Sequence, residues 1–263
     1  MGRIVAVTNQ KGGVGKTTTT VNLAASLASL GQRILLVDID PQGNASSGYG
    51  IGRQPMETSV YAALTGEVHD VEGMLALCRS TELPTLQVLP AGADLYAAEV
   101  ELAAAEDRFF RLRAALALIV DRFDTIFIDC PPSLGVLTLN ALAAANSVLI
   151  PMQAEYYALE GLSQLAQTIE HVRAGANPEL CVEGVLLTMF DRRNNLARQV
   201  AEDVRGHYGD RVYRTVIPRN VRLSEAPSHG KPIILYDIQS VGCQSYLRLA
   251  KEFIKATQAQ AAA

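Results

Sequence analysis

Gln10-Lys11-Gly12-Gly13-Val14-Gly15-Lys16-Thr17-Thr18 is the stretch that decides the fold of this 263-residue chain. The apolar run Arg3-Ile4-Val5-Ala6-Val7-Thr8 precedes it and Val21-Asn22-Leu23-Ala24-Ala25-Ser26-Leu27 follows it, so it joins a predicted strand to a predicted helix. Unpartnered backbone N–H groups and the positive end of the helix dipole converge at such a junction, which suits a phosphate group. Glycines at 12, 13 and 15 remove side chains that would keep phosphate from the amides. Lys16 can reach β- and γ-phosphate oxygens, and the Thr17 hydroxyl can bind Mg2+, a hard cation that prefers oxygen. The usual phosphate-loop pattern has a glycine five positions before Gly15. Gln10 occupies that position, and a second lysine, Lys11, stands beside it. The bland alternative is a glycine-rich turn with a threonine helix cap.

Outward from the loop, apolar runs alternate with helical patterns. Residues 3–8, 33–39, 86–89, 125–129, 147–151, 182–189 and 212–217 read as strands, and 17–30, 106–121, 135–145, 158–174, 195–207 and 241–256 as helices. Gly31 ends the first helix as a C-terminal glycine does. Residues 40–85, rich in Gly and Ser, predict exposed loops and short helices. The rhythm implies an α/β fold: a doubly wound, mainly parallel sheet with helices on both faces, forming one domain over residues 1–263. Ligands then bind at the carboxyl ends of the strands.

Three segments fall at those ends. Arg33-Ile34-Leu35-Leu36-Val37-Asp38-Ile39-Asp40 turns into Pro41-Gln42-Gly43-Asn44, and Asp38 and Asp40 share a side if the strand stays extended. Thr125-Ile126-Phe127-Ile128-Asp129 ends in a carboxylate before Cys130-Pro131-Pro132. A fixed carboxylate near phosphates suits Asp129 to hold Mg2+ through water, the alternative being a turn aspartate. Asp40 is placed to orient or deprotonate an attacking water, or is a turn residue before Pro41. The third segment is Val216-Ile217-Pro218-Arg219-Asn220.

Apolar residues make up 49% and charged residues 19%, so a sizeable core is expected. No run approaches the roughly 20 apolar residues of a membrane-spanning helix, and residues 3–8 are too short for a secretory signal. These features predict a soluble, cytoplasmic protein. Cys78, Cys130, Cys181 and Cys243 lack disulfide or zinc spacing and are expected as buried free thiols. The net charge is −4, unevenly spread: residues 1–189 hold 11 Lys and Arg against 20 Asp and Glu, and residues 190–263 hold 12 against 7. A basic region over about 190–232 on an acidic body follows. Asn194 is placed to cap the helix after it. Arg192 and Arg193 then sit just before that helix's positive end, where cations are unfavourable by roughly 0.3–1 kcal/mol each. Arg198, Arg205, Arg219, Arg222 and Lys231 add charge. A phosphate-backbone contact surface and an ordinary solvated face both fit this segment; without interleaved aromatics or a helix-turn-helix, base-specific reading is not suggested.

The loop, with Leu36-Val37-Asp38-Ile39-Asp40-Pro41-Gln42-Gly43-Asn44, Asp129-Cys130-Pro131-Pro132 and the run from Ile217 to Pro232, closely resembles the deviant Walker ATPases of the ParA/Soj family, small chromosomal type. The resemblance implies an ATP-dependent DNA-partitioning ATPase that uses Mg2+. In such a protein two ATP-bound subunits form a homodimer, and Lys11 reaches the phosphates of the partner. Lys16 holds its own subunit's phosphates together with Gly12, Gly13, Val14 and Gly15, Thr17 binds Mg2+, Thr18 contacts the α-phosphate region, and Asp40 supports the attack of water. Asp129 holds Mg2+ through water, and Pro218 and Asn220 flank the adenine. The resemblance further implies non-specific binding of double-stranded DNA and a nucleoid-associated location. Arg193 and Arg222 match the family's DNA-binding arginines, with Arg192 and Arg219 beside them, and a ParB-type partner stimulates slow hydrolysis. Alternatives are a membrane-cycling relative of the MinD type, which needs an amphipathic C-terminal helix that Lys255–Ala263 does not supply, a non-hydrolysing adaptor, and a nitrogenase-iron-protein-like reductase, for which Cys130 lacks a second cysteine.

Overall fold

A computed structural model describes residues 2–93, 95–155 and 158–261; Met1 and the last two residues of the C-terminal tail lie outside them. Seven strands form one sheet: β1 Arg3–Val7, β2 Ile34–Asp38, β3 Arg79–Ser80, β4 Leu86–Leu89, β5 Thr125–Asp129, β6 Ser147–Gln153 and β7 Cys181–Thr188. Their order is β3-β4-β2-β5-β1-β6-β7. All neighbours pair in parallel except the short edge strand β3, which runs against β4. Strands such as Ile34-Leu35-Leu36-Val37 are apolar on both sides because both sheet faces are covered, as parallel strands require.

One face carries Val5, Val7, Leu36, Phe127 and Leu149 and packs on α1 Lys16–Ser29 and the long α12 Val241–Ala261, through Leu23, Leu27, Leu249 and Phe253. The other carries Ile4, Ala6, Leu35, Val37, Ile126 and Ile128. It lies under α3 Val60–Thr65, α5 Leu95–Ala103, α6 Arg111–Ala117, α7 Val136–Ala144, α8 Ala158–Ala174 and α9 Asn195–Tyr208. Short helices α2 Asn44–Ser47, α4 Val71–Leu77, α10 Val221–Glu225 and α11 Ile233–Tyr236 complete the set. Because α1 leaves the end of β1 on one face and α7 leaves the end of β5 on the other, a crevice opens at the carboxyl edge between them.

The structure differs from the sequence reading at several points, beginning with a short strand β3 and the helix α5, which were not expected. Residues 212–217 are not a strand: Val212 and Pro218 make only isolated bridges to Val185 and Phe190. Between them, the backbone N–H groups of Arg214 and Thr215 donate to the Glu252 carboxylate at 2.7 and 3.0 Å, which draws the segment away from the ladder. The helix expected over 106–121 shortens to Arg111–Ala117. Asn140 of α7 blocks its extension, accepting from Leu112 N–H at 3.2 Å and donating to the Arg108 carbonyl at 2.6 Å. Residues 40–85 do hold short helices, but Val60, Ala62, Leu64 and Met74 are fully buried rather than exposed. All four cysteines are free, yet Cys181 is exposed and Cys78 only partly buried.

Candidate functional site

The loop after β1 winds through two left-handed glycines, Gly13 at φ 73° and Gly15 at φ 88°. A side chain at Gly12 or Gly13 would meet no protein atom within 4 Å, so these glycines leave space open above the loop rather than fit against a neighbour. Gly15 stands at the N-cap of α1, whose first turn has no side-chain cap and no acidic residue. Its first N–H groups therefore remain available to an anion. Thr188, at the end of β7, fixes the loop from behind by donating to the Val14 carbonyl at 2.7 Å.

Above the loop lies a cavity of about 560 Å³, lined by Gly12, Gly13, Gly15, Lys16, Thr17 and Thr18, and also by Asp40. Its far wall is the segment from Ile217 to Asn220 with Leu223 and Pro227. This is the size and mixed lining expected for a nucleotide. Lys16 is 7% exposed and its Nζ donates to the Lys11 carbonyl at 3.3 Å. Burial pulls its ammonium below the usual lysine range, while Asp129, Cys130 and Asp40 act in the opposite direction. Asp129 is fully buried and accepts from the Thr17 and Thr20 hydroxyls at 2.8 and 2.7 Å. Burial, then the neighbouring Asp38, pushes its carboxyl up to about 7 against the pull of those hydroxyls.

These residues fit a magnesium ion. A threonine hydroxyl has one proton and two lone pairs; Thr17 gives its proton to Asp129 and keeps its lone pairs for a cation. A carboxyl raised by burial is a group that a nearby cation would return to the charged form. Among the described residues no three or more His, Cys, Asp or Glu gather at metal-holding distance, so Thr17 and phosphate oxygens would be the direct ligands, with Asp129 behind them.

Asp38 and Asp40 have different surroundings. β2 ends at Asp38, whose carboxylate accepts from the Ser46 N–H and hydroxyl at 2.7 Å each and from the Asp40 N–H at 3.2 Å. Asp38 thereby closes the turn from β2 into α2, and Asp40, 7% exposed, is left lining the cavity. The Asn220 carboxamide oxygen caps α10, accepting from Leu223 N–H at 3.3 Å, so its NH₂ remains for a ligand. Met189, with the one positive φ of a non-glycine residue among those described, turns the chain from β7 into the cavity rim.

Not every proposed residue meets the cavity. Val14 is buried, and it lines a smaller pocket behind the loop together with Lys11. Lys11 Nζ lies 2.6 Å from Glu155 Oε2. Arg219 lines the rim of the nucleotide cavity. Arg193 is held by Asp191 at 2.8 Å, and Arg222 by Glu225 at 2.9 Å and Asp237 at 3.4 Å. Arg192 faces a separate pocket with Arg198, Arg205 and Arg214. Thr20, Ser46 and Thr188 were missed in the sequence. Thr20 was findable, since a residue three after Thr17 on a helix shares its face, whereas Ser46 and Thr188 meet their partners only through the fold.

A glycine-rich loop opening a helix at the carboxyl edge of a central parallel strand, with lysine, threonine and a buried aspartate around one cavity, defines a P-loop ATPase. The family model described as "AAA domain" matches residues 2–182. The chain is 60% identical over 255 residues to the chromosome partitioning protein ParA of Myxococcus xanthus, covering 97% of this chain and 89% of that protein. It is 57% identical over 252 residues to the sporulation initiation inhibitor protein Soj of Bacillus subtilis, covering 96% and 98%. A Mycobacterium smegmatis structure described as cobyrinic acid a,c-diamide synthase with bound ADP and magnesium superposes with a TM-score of 0.84 at 37% identity, over 98% of this chain and 96% of that one. The chain belongs to the ParA/Soj family of chromosome-partitioning ATPases.

Proposed function

We propose that the protein is an ATP-switched DNA-partitioning ATPase whose ATP-bound homodimer holds double-stranded DNA without sequence preference. In this reading residues 1–263 are one ATPase domain, with a basic DNA-contacting region within about 190–232. A ParB-type DNA-binding partner dissolves the dimer by stimulating a slow hydrolysis. Its location is then cytoplasmic and nucleoid-associated.

The observation that carries the reading is the division of the loop's two lysines. Lys16 lines the nucleotide cavity, while Lys11 lies on the other side of the loop beside Glu155. A lysine outside the lining of its own cavity supports a role toward a second subunit. Lys16 and the N-terminus of α1 hold the β- and γ-phosphates, and Pro218 and Asn220 flank the adenine. Thr17 gives its hydroxyl oxygen to Mg2+, which when bound draws charge from the phosphate oxygens. Asp129 orients Thr17 and holds Mg2+ through water, and Thr18 contacts the α-phosphate region. Asp40 accepts a proton from, or aligns, the water whose oxygen bonds to the γ-phosphorus as the bond to the β-phosphate oxygen breaks. Arg193 and Arg222 are the leading DNA contacts, with Arg192 and Arg219 beside them. Asp191 and Glu225, their shortest carboxylate partners, are exposed side chains, and such pairs are worth about 0–1 kcal/mol, so a phosphodiester can replace them.

A MinD-like membrane cycle has less support. The apolar face of α12, with Leu249, Ala250 and Phe253, is buried against the sheet and α1, and no helix among the described residues is long and apolar enough to cross a membrane.

The test is duplex binding against salt with ATP, ADP and no nucleotide, in wild type and Lys16→Ala. Wild type should bind only with ATP and lose affinity steeply as salt rises. Lys16→Ala should lose dimerisation and DNA binding together. ATP-loaded wild type that ignores duplex DNA at low salt would end the reading.

A further inference from the structure

Behind Lys16, α1 carries threonine at every position from Thr17 to Thr20, and two of these side chains meet one carboxylate. Thr17 and Thr20 are three residues apart and share a helix face. The Thr17 hydroxyl donates to Asp129 Oδ2 at 2.8 Å, and the Thr20 hydroxyl donates to Asp129 Oδ1 at 2.7 Å. Each carboxylate oxygen therefore has its own hydroxyl from α1. Thr17 lines the nucleotide cavity, whereas Thr20 is 0% exposed and does not. Thr20 can act on a bound nucleotide only through Asp129 and Thr17.

A buried threonine on a helix ordinarily satisfies its hydroxyl on the carbonyl four residues back. Thr20 has that acceptor too, the Lys16 carbonyl at 3.0 Å, so its own hydroxyl does not need the carboxylate. Asp129 gains more from the contact. The terminal torsion of an aspartate is broad, and a single hydrogen bond at Oδ2 leaves the plane of the carboxylate free to turn. A second bond at Oδ1, from the same helix, fixes that plane. The direction in which Thr17 sends its proton is then fixed as well. A hydroxyl otherwise rotates to suit its surroundings; here its lone pairs are left toward the cavity. The bland alternative is that Thr20 only offsets the cost of burying a carboxylate.

We propose that Thr20 is a positioning residue for the cation that accompanies the nucleotide: by holding Asp129 Oδ1 it keeps the Thr17 hydroxyl oriented to receive a divalent ion, and so sets the affinity for that ion without touching it. The proposal rests on the reading that Thr17 and phosphate oxygens hold Mg2+, and it needs neither DNA nor a second subunit. Outer partners of this kind typically control metal affinity by about 10- to 100-fold.

The test uses the full chain saturated with ADP, and Mn2+ as a spectroscopic substitute for Mg2+, with free Mn2+ counted by EPR. Wild type is compared with Thr20→Val, which keeps the branched shape, with Thr20→Ser, which keeps the hydroxyl, and with Ser26→Ala. Ser26 is a fully buried residue of the same helix whose hydroxyl donates to the Asn22 carbonyl at 2.7 Å, away from Asp129. ADP affinity in EDTA should stay as in wild type throughout. The affinity of the ADP complex for Mn2+ should fall about 10- to 100-fold in Thr20→Val, return toward wild type in Thr20→Ser, and stay unchanged in Ser26→Ala. Thr20→Ala repeats the comparison with a residue of high helix propensity, so the outcome does not depend on the folding of the valine variant. Wild-type Mn2+ affinity in both Thr20→Val and Thr20→Ala overturns the proposal and leaves the metal site standing. An equal loss in Ser26→Ala, or a loss of ADP binding in EDTA as large as the loss with Mn2+, marks a general loosening of α1 and overturns it too. A wild-type ADP complex that takes up no Mn2+ overturns the metal reading itself, and the role of Thr20 with it.

Discussion

Asp129→Asn tests the electrostatics of the site without touching its shape. The Asp129 carboxyl is fully buried and raised from 3.8 to about 7, chiefly by burial and next by Asp38. A carboxyl raised on folding keeps a proton that the unfolded chain releases. Its contribution is therefore fully present below pH 4 and is lost as pH rises through about 7. Each pKa unit corresponds to about 1.36 kcal/mol, so about three units set a ceiling of about 4 kcal/mol. Asp38, raised to about 6, declines over an overlapping range and remains in the variant. Asparagine cannot ionise, and a threonine hydroxyl can turn to accept from its NH₂. In EDTA and without nucleotide, the variant should match wild type within about 1 kcal/mol near pH 4 and exceed it by about 2–4 kcal/mol at pH 8. Urea unfolding at a series of pH values measures the gap. Saturating Mg2+ and ATP should narrow or reverse it, because only wild type presents a carboxylate behind Thr17. Parallel pH profiles for the two proteins would refute the assignment of burial as the cause.

Other perturbations address single parts of the site. Asp40→Ala should leave ATP binding intact and prolong the DNA-bound dimer, and an unchanged single-turnover hydrolysis rate would remove Asp40 from the chemistry. Glu155→Gln frees Lys11 from an exposed pair worth about 0.2–1 kcal/mol. With two such pairs per dimer, ATP-dependent dimerisation should tighten by about 2- to 30-fold in sedimentation; weakened dimerisation would mean that Glu155 supports the interface itself. Gly15→Ala meets only ordinary contacts with Thr188, at 3.7 Å or more, so its penalty is the left-handed backbone, about 1–2 kcal/mol. A wild-type melting temperature in that variant would show that the loop relaxes.

The sheet was legible because six of its strands are apolar on both faces and each is followed by helical periodicity. β3, with two residues and one partner, has no such pattern. The segment 212–217 has a strand's composition, but Glu252 on α12 takes two of its N–H groups, a tertiary event that no local pattern announces. Asp38 illustrates the same limit. Period-two spacing placed it beside Asp40, yet the strand stops at Asp38 so that its carboxylate can hold Ser46, eight residues on. Lys16, Thr17 and Asp129 were legible because loop and strand-end positions prescribe them. Arg192, Arg198 and Arg205 stood out as a basic segment, but Arg214 did not, since only the fold brings it to them.

The charges around the cavity give a physical reason for a second lysine. Among the described residues, the ionisable ones with charged side chains that line it are Lys16, Asp40 and Arg219, and Asp129 stands behind Thr17. Arg219 belongs to the wall with Pro218 and Asn220 rather than to the loop. At the phosphate end, one lysine is therefore offset by one lining carboxylate, with a second buried carboxylate close by. A triphosphate and a divalent cation placed there leave negative charge that a single lysine does not neutralise, in a setting where burial already disfavours ionised groups. Lys11 is not among the residues lining this cavity, and its ammonium pairs with Glu155 instead. In the proposed dimer a cation from a facing copy would supply the balance. On the proposed function, nucleotide and partner would each complete the same electrostatic arrangement, and ATP binding and dimerisation would strengthen one another by the same coupling energy.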